Sequence, residues 1–502
     1  MMTFDRHRLY DLLDHFAMRL PAVAVPADFV TVCRVFCHVF SPKLNRFNLL
    51  KHNSFLANGP DYHPQHCGNT GVLRRSIAPR LDERMGNTYV LIMATMTLQD
   101  KLAVLSDAAK YDASCASSGG EKRDARKGGL GSSGGSGICH AYTPDGRCIS
   151  LLKILMTNFC IFDCAYCINR VSSNVERARF SVEEVVTLTL EFYRRNYIEG
   201  LFLSSGIIKS PDQTMSDMVR IAKTLRLDHS FKGYIHLKTI PDASPDLIRE
   251  AGLYADRLSI NIELPQDESL RKLAPEKRPE SIRGTMAQMR LEGEAAKDTS
   301  HTGKKAPRFA PAGQSTQMII GADGANDVAI LTTATRLYTG YKLRRVYYSA
   351  FSPIPDASAA LPLIQPPLLR EHRLYQADWL MRFYGFSADE IATGATAGNL
   401  DLDLDPKLAW ALQHRGQFPL NVNAASREML LRVPGFGTRT VDRILIARKH
   451  RSLRYEDLMR MGALMKKAKS FITLPGWSPG GAIDDAHLRA RFAPPPLQLQ
   501  LI

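Results

Sequence analysis

The sequence predicts an α/β fold, a partial or closed parallel (β/α)6 barrel followed by a small all-α module. Three observations carry that expectation. From Ile149 onward short β-rich runs alternate with helical patterns, several of those helices open on legible capping signals, and a glycine-centred turn at Pro434–Gly437 joins two helical runs. Strands that alternate with helices favour parallel pairing, because a parallel return needs a crossover about as long as a helix.

The chain begins differently. Residues 1 to 92 hold six of the fourteen His, show weak periodicity, and include runs such as Phe55–Cys67 with no clear element. Such a stretch cannot bury enough apolar surface to order itself, so it is expected to be a poorly ordered or mis-called extension, with a native start near Met93 or Met96. Leu98–Tyr111 has helical apolar spacing. The Gly/Ser run Gly128–Gly137 follows and is expected to be a linker; it lacks the Gly-Lys-Ser/Thr ending of a phosphate loop. Residues 93–148 therefore form a helix and a Gly/Ser-rich loop.

The barrel core is expected over residues 149–360. Its strand candidates are Ile149–Met156, Gly200–Ser204, Gly233–Ile240, Asp256–Leu264, Thr316–Gly321 and Arg345–Phe351. Between them, Ser181-Val-Glu-Glu184 is a capping box, Ser210-Pro211 places Pro at a first helical position, and Ser244-Pro245 opens a third helix. In a β/α barrel ligands gather at the C-terminal strand ends. A helical linker region (361–412), the all-α module (413–475) and a Pro-rich tail (476–502) complete the expected domains.

Immediately after the first strand candidate, Cys160, Cys164 and Cys167 stand in a Cx3Cx2C spacing. Three thiolates can hold three irons of a [4Fe-4S] cube and leave the fourth iron open, whereas an electron carrier usually supplies four Cys. Zinc would want a fourth Cys or His, and neither occurs between Ile168 and Asp228. Nine Cys in 502 residues are too sparse, and odd in number, for a disulfide framework, which fits a reducing compartment. No apolar run approaches the roughly 20 residues of a membrane span, and the first 30 residues mix Asp5, Asp11 and Asp14 with Arg6, Arg8 and Arg19 rather than forming a secretory signal. The expected location is cytoplasmic.

A Cx3Cx2C loop after the first strand of a six-strand β/α series resembles the radical S-adenosylmethionine (SAM) superfamily. The resemblance implies that Cys160, Cys164 and Cys167 bind a [4Fe-4S] cluster and that Tyr166 packs near the adenine of SAM. Leu203-Ser-Ser-Gly206 occupies the place of the Gly-rich segment that receives the SAM amino group, so Ser204, Ser205 and Gly206 are implied cofactor contacts, although the run departs from the commoner Gly-Gly-Glu. Ser259, Asn261 and Glu263 alternate and so share a face; inside a barrel they reach ribose or substrate, or form a hydrogen-bonded polar layer. His236, Lys238 and Gln314 to Gln317 are polar and expected inward in the same way. The implied chemistry is one-electron cleavage of SAM to methionine and a 5′-deoxyadenosyl radical that abstracts hydrogen from carbon, fed by an external reductant such as flavodoxin or ferredoxin.

Near the C-terminus, Asn421–Arg448 resembles a helix-hairpin-helix DNA-binding module. The net charge of +15 concentrates there: Arg415–Ser470 holds thirteen Lys/Arg against four Asp/Glu, a clustering that points to a polyanion. Gly435 and Gly437 would let backbone N–H groups approach a phosphate at the start of the second helix, with Arg439, Arg443, Arg448 and Lys449 adding charge. Such contacts position a duplex and read little sequence; a hairpin of this kind can instead serve packing. Leu98 to about Thr473 resembles the bacterial family of DNA modification or repair radical SAM proteins with a helix-hairpin-helix. Segments such as Asn196–Gly206 and Arg308–Met318 carry the likeness, which implies DNA and a uracil-DNA-glycosylase-like protein as partners. Cys115, Cys139 and Cys148 with His140 are either reduced structural thiols, a second metal site or a hydrogen-atom donor, and Tyr347-Tyr348 either packs or relays a radical. The expectation is thus a radical SAM enzyme acting on DNA. The alternatives are an RNA-modifying relative and a DNA-binding protein with a structural or redox-sensing cluster.

Overall fold

Each expected strand is present, and the described residues hold three more. The computed structural model describes residues 96–111, 137–142, 147–298 and 308–493; the expectations for residues 1–92, for Cys115 and for the Gly/Ser run before Gly137 lie outside these. The elements below all belong to one unit, Leu81–Ile502. The first is α1 (Leu98–Ala108), whose Thr97 and Asp100 form a reciprocal capping box.

A seven-stranded sheet follows in sequential order. Its strands are β1 (Ile138–Tyr142), β2 (Cys148–Leu155), β3 (Gly200–Ser204), β4 (Tyr234–Lys238), β5 (Arg257–Ser259), β6 (Gln314–Ile320) and β7 (Arg345–Ala350). From β2 to β7 every pairing is parallel, and among the described residues β7 pairs with β6 alone, so the barrel they form is partial rather than closed. The purely parallel sheet expected from sequence needs one correction: β1 runs antiparallel to β2. The chain returns after a handful of residues, too few for a crossover, so the neighbour must be antiparallel.

The crossover helices are α2 (Val182–Arg194), α3 (Pro211–Leu227), α4 (Pro245–Tyr254), α5 (Asp267–Leu273), α6 (Pro279–Ala295) and α7 (Asp327–Tyr341). Ser181 and Glu184 cap α2 reciprocally, and Ser210 caps α3 ahead of Pro211. At α4 Pro245 opens the helix while Ser244 makes no side-chain cap bond. Their apolar stripes close over strands buried along their length, as in the run Gly200–Ser204. The strand expected over Asp256–Leu264 stops at Ser259. Glu263 adopts a left-handed φ of 65° and rejoins the sheet through a bridge to Met318.

The stretch read as a linker covers the sheet. In α8 (Leu368–Phe383), the Tyr375 hydroxyl donates to the Tyr348 carbonyl at 2.9 Å and accepts from its N–H at 3.0 Å, and Asp378 accepts from Tyr338 at 2.5 Å and from Tyr348 at 3.3 Å. Then come α9 (Ala388–Ala392), α10 (Pro406–Gln413), β8 (Leu420–Asn421), α11 (Arg427–Arg432), α12 (Thr438–Ala447), α13 (Tyr455–Arg460), α14 (Met465–Ala468) and β9 (Ile472–Thr473). The parallel β8–β9 pair corrects the all-α expectation, since it ties the module's entry to its exit. Part of the expected tail also folds back, with Ile483 and Leu488 buried and Arg415 donating to the Asp485 carbonyl at 2.9 Å.

Candidate functional site

The excursion from Thr157 to Arg179 leaves the end of β2 and is closed by a bridge between those two residues. Asn158, buried, clamps it by accepting from Ala178 N–H at 2.8 Å and donating to the Glu176 carbonyl at 2.7 Å. Arg177 donates to the carbonyls of Asn158, Asn169, Arg170 and Ser173, and Arg170 reaches the Cys167 carbonyl at 3.3 Å and that of Asp356 at 2.6 Å. Two guanidiniums thus satisfy the carbonyls of a loop that has no ladder of its own. The end of β3 lies against it: Gly206 N–H donates to the Thr157 carbonyl at 2.8 Å, and a Cβ on Gly206 would sit 2.1 Å from the Phe159 carbonyl oxygen. Glycine is required there by backbone approach.

This loop brings Cys160, Cys164 and Cys167 to one cavity at the C-terminal strand ends, together with Tyr166, Ser204, Ser205, Gly206, Asn261 and Glu263, and with Lys238 and Gln317. Ser259 is not in its wall. It lies lower, 2.9 Å from His236 Nε2, and His236 stacks on Phe202 at 4.2 Å, so these two form a hydrogen-bonded polar layer. Gln314 turns away and donates to the Met286 and Tyr341 carbonyls. Tyr347 and Tyr348, consecutive on β7, take opposite faces; Tyr348 joins the α8 network, while the Tyr347 hydroxyl lies 3.4 Å from Arg257. Cys139 and His140 likewise alternate on β1 and do not meet at one site, and Cys148 is exposed.

Lys277, between α5 and α6, also lines the cavity and was not foreseen. Its ammonium lies 2.6 Å from Glu263, 3.5 Å from the Tyr166 hydroxyl and 5.7 Å from that ring's centroid. The one available signal was indirect: a carboxylate placed inside a barrel needs a cation. Burial is the largest influence and opposes the ammonium's charge, yet Glu263, Tyr166 and Cys164 together outweigh it and raise the Lys277 pKa.

Burial pushes the Cys164 thiol up to about 12, and Cys167 is raised for the same reason despite an N–H from Asn169 at 3.4 Å. All three thiols are free of disulfides. The cation nearest to hand is taken by Glu263, so thiolate formation here needs charge that a bound metal brings. Among the described residues no three His, Cys, Asp or Glu side chains crowd around a single-ion point. Three thiols lining one cavity suit a cube in which each binds its own iron.

The C-terminal hairpin divides its expected residues. Gly435 has a φ of 86°, and a Cβ there would lie 2.6 Å from the Leu464 carbonyl oxygen, whose own N–H donates to Gly435 at 3.0 Å. Gly437 caps α12 at an ordinary φ of −89°. Arg448 points inward to the Val422 and Ala425 carbonyls at 3.0 and 2.7 Å. Arg443 is exposed and donates to the Met461 carbonyl at 3.0 Å, while Arg439 and Lys449 are exposed. Arg448 thus spends part of its guanidinium on tying the end of α12 to the module's entry.

The profile of the family described as Radical SAM superfamily matches residues 154–294. Proteins of that family use a [4Fe-4S] cluster and SAM and need an external electron donor. Similar solved structures include the FeFe-hydrogenase maturase HydG from Carboxydothermus hydrogenoformans, at 15% identity and a TM-score of 0.35, covering 45% of this chain and 50% of that one. Methylornithine synthase (PylB) matches at 14% identity and a TM-score of 0.33, covering 44% and 60%. A radical SAM methyltransferase from Sphaerobacter thermophilus matches at 17% and 0.32, covering 48% and 69%. The match spans about half the length of the first such structures. No curated protein matches. Among the described residues no helix is long and apolar enough to cross a membrane.

Proposed function

From the premise that residues 154–294 form a radical SAM domain, we propose that this chain cleaves SAM reductively and modifies or repairs DNA held by its C-terminal module. The observation that carries the reading is the convergence of three disulfide-free thiols on a single cavity with Tyr166 and the Glu263–Lys277 pair. Cys160, Cys164 and Cys167 would hold three irons. The hydroxyls of Ser204 and Ser205 and the amide of Asn261 offer hydrogen bonds across the cavity to a polar cofactor, and Tyr166 offers a ring face. The bound cluster and SAM supply one-electron cleavage to a 5′-deoxyadenosyl radical. Around them Leu155, Ile207 and Ile240 line the wall and keep water from the reacting carbon.

DNA is supported by charge: the excess Lys/Arg of Arg415–Ser470 includes exposed Arg439 and Lys449 beside the hairpin. The same reading takes flavodoxin or ferredoxin as the electron source and a uracil-DNA-glycosylase-like protein as an associate. Its test is mass spectrometry of nucleosides recovered from DNA, and separately from RNA, after incubation with the reduced holoenzyme and SAM. A new nucleoside from DNA, absent with the Cys160→Ala/Cys164→Ala/Cys167→Ala protein, is expected. A product from RNA alone, or none from either while SAM is cleaved, overturns the DNA assignment.

A further inference from the structure

A second cavity, of about 500 Å³, lies between α8 and the C-terminal hairpin. One wall is aromatic, with Tyr375, Trp379 and Tyr384; the other carries Lys407, Lys467 and the backbone of Gly435–Gly437. In its wall Trp379 is 49% exposed, and the ring of Phe383, one helical turn on and outside the lining, lies 4.3 Å from it. Leu374, Ala377, Asp378 and Leu380 form the buried face of α8, and this aromatic pair stands on its solvent side. The cations are held in place: Lys407 donates to the Phe436 carbonyl at 2.7 Å and lies 4.7 Å from the Tyr384 centroid, and Lys467 pairs with Asp405 at 2.6 Å.

We infer that this cavity receives one unstacked nucleobase of the polynucleotide whose backbone the hairpin carries. The ligand class follows from the walls. A flat π-face suits Trp379 and its neighbours, stacking of this kind tolerates any base, and a flanking phosphate meets the cationic, glycine-rich side. A bare anion would leave the aromatic wall unused, and an aliphatic chain would set no polar group against the side that carries Lys407, Lys467 and Asp405. The base held here is not the reacting one. The cavity borders Arg345, the first residue of β7, whereas the thiol cavity lies at the C-terminal strand ends and shares no lining residue with it. The site therefore anchors and registers the strand while chemistry occurs elsewhere on it. This inference rests on the DNA reading above.

The test uses the full chain and three fluorescent DNAs: a duplex, the same duplex with a one-nucleotide bulge, and the single strand. The expected result is that bulged and single-stranded DNA bind about tenfold tighter than duplex, that Trp379→Ala brings this ratio to about one, and that Trp379→Phe keeps most of it. 2-Aminopurine at the bulge should be quenched by the native chain and not by Trp379→Ala, with circular dichroism checking that the variant folds. An unaltered ratio in Trp379→Ala, a ratio already near one in the native chain, or no difference in quenching overturns the cavity assignment alone. Failure of the native chain to bind any of the three overturns the DNA reading and this inference together.

Discussion

The thiol loop and the C-terminal hairpin are both loops between regular elements, both rich in groups that suggest a ligand, and the structure uses them in opposite ways. In the thiol loop the backbone is satisfied by Asn158, Arg170 and Arg177, none of them a cysteine. The cysteines are left facing a cavity. In the hairpin, two groups that suggest a ligand also hold the module together: Gly435 packs on Leu464, and Arg448 donates to two carbonyls. A residue type points to a ligand most strongly when the fold has given its structural work to others.

The largest test of that contrast removes the thiols. The Cys160→Ala/Cys164→Ala/Cys167→Ala chain should keep its circular dichroism and lose essentially all iron after anaerobic reconstitution, measured by metal analysis. Next comes the pair inside the cavity, whose side chains are nearly buried. Glu263→Gln or Lys277→Met should each cost about 3–5 kcal/mol in denaturant unfolding by stranding a buried charge, and the double Glu263→Leu/Lys277→Met should recover part of it.

Lys407 tests the hairpin side. Burial lowers its pKa to about 7, below its value in the unfolded chain. Between about pH 7 and the ordinary lysine range the unfolded state binds more protons, so this group makes stability rise with pH through that window and leaves it level below about pH 7. The expected swing is on the order of a few kcal/mol, and Lys407→Met should flatten it in pH-dependent denaturation. Smaller still, Arg448→Ala should cost about 1–3 kcal/mol of stability and leave the salt dependence of DNA binding in place. Arg439→Ala should reverse that pattern, lowering the slope of log affinity against log salt by about one. Equal behaviour of the two arginines would erase the distinction between structural and exposed cations.

Much of this was legible because local chemistry and global fold agree. Gly200–Ser204 was delimited correctly, since a strand buried along its length reads as one short apolar run. The thiols, Ser204, Ser205, Asn261 and Glu263 reached the cavity because strand ends meet there in any β/α barrel. What failed depended on non-local partners. The alternation of Ser259, Asn261 and Glu263 continues past the point where the strand stops, since a left-handed Glu263 leaves no mark on a polar/apolar pattern. Lys277 sits in an unremarkable connection and acquires meaning only when folding sets it against Glu263. β1 was too short to register beside glycines, and the bonds of Arg448 to the carbonyls of Val422 and Ala425 could not be read from its neighbours.

The central claim is that the thiol cavity exists to cleave SAM and that the basic module delivers DNA to it. The direct measurement is anaerobic formation of 5′-deoxyadenosine from SAM with dithionite, with and without DNA. The native chain should form it, faster with DNA present, and the triple cysteine variant should not. No 5′-deoxyadenosine above that variant under either condition would contradict the account.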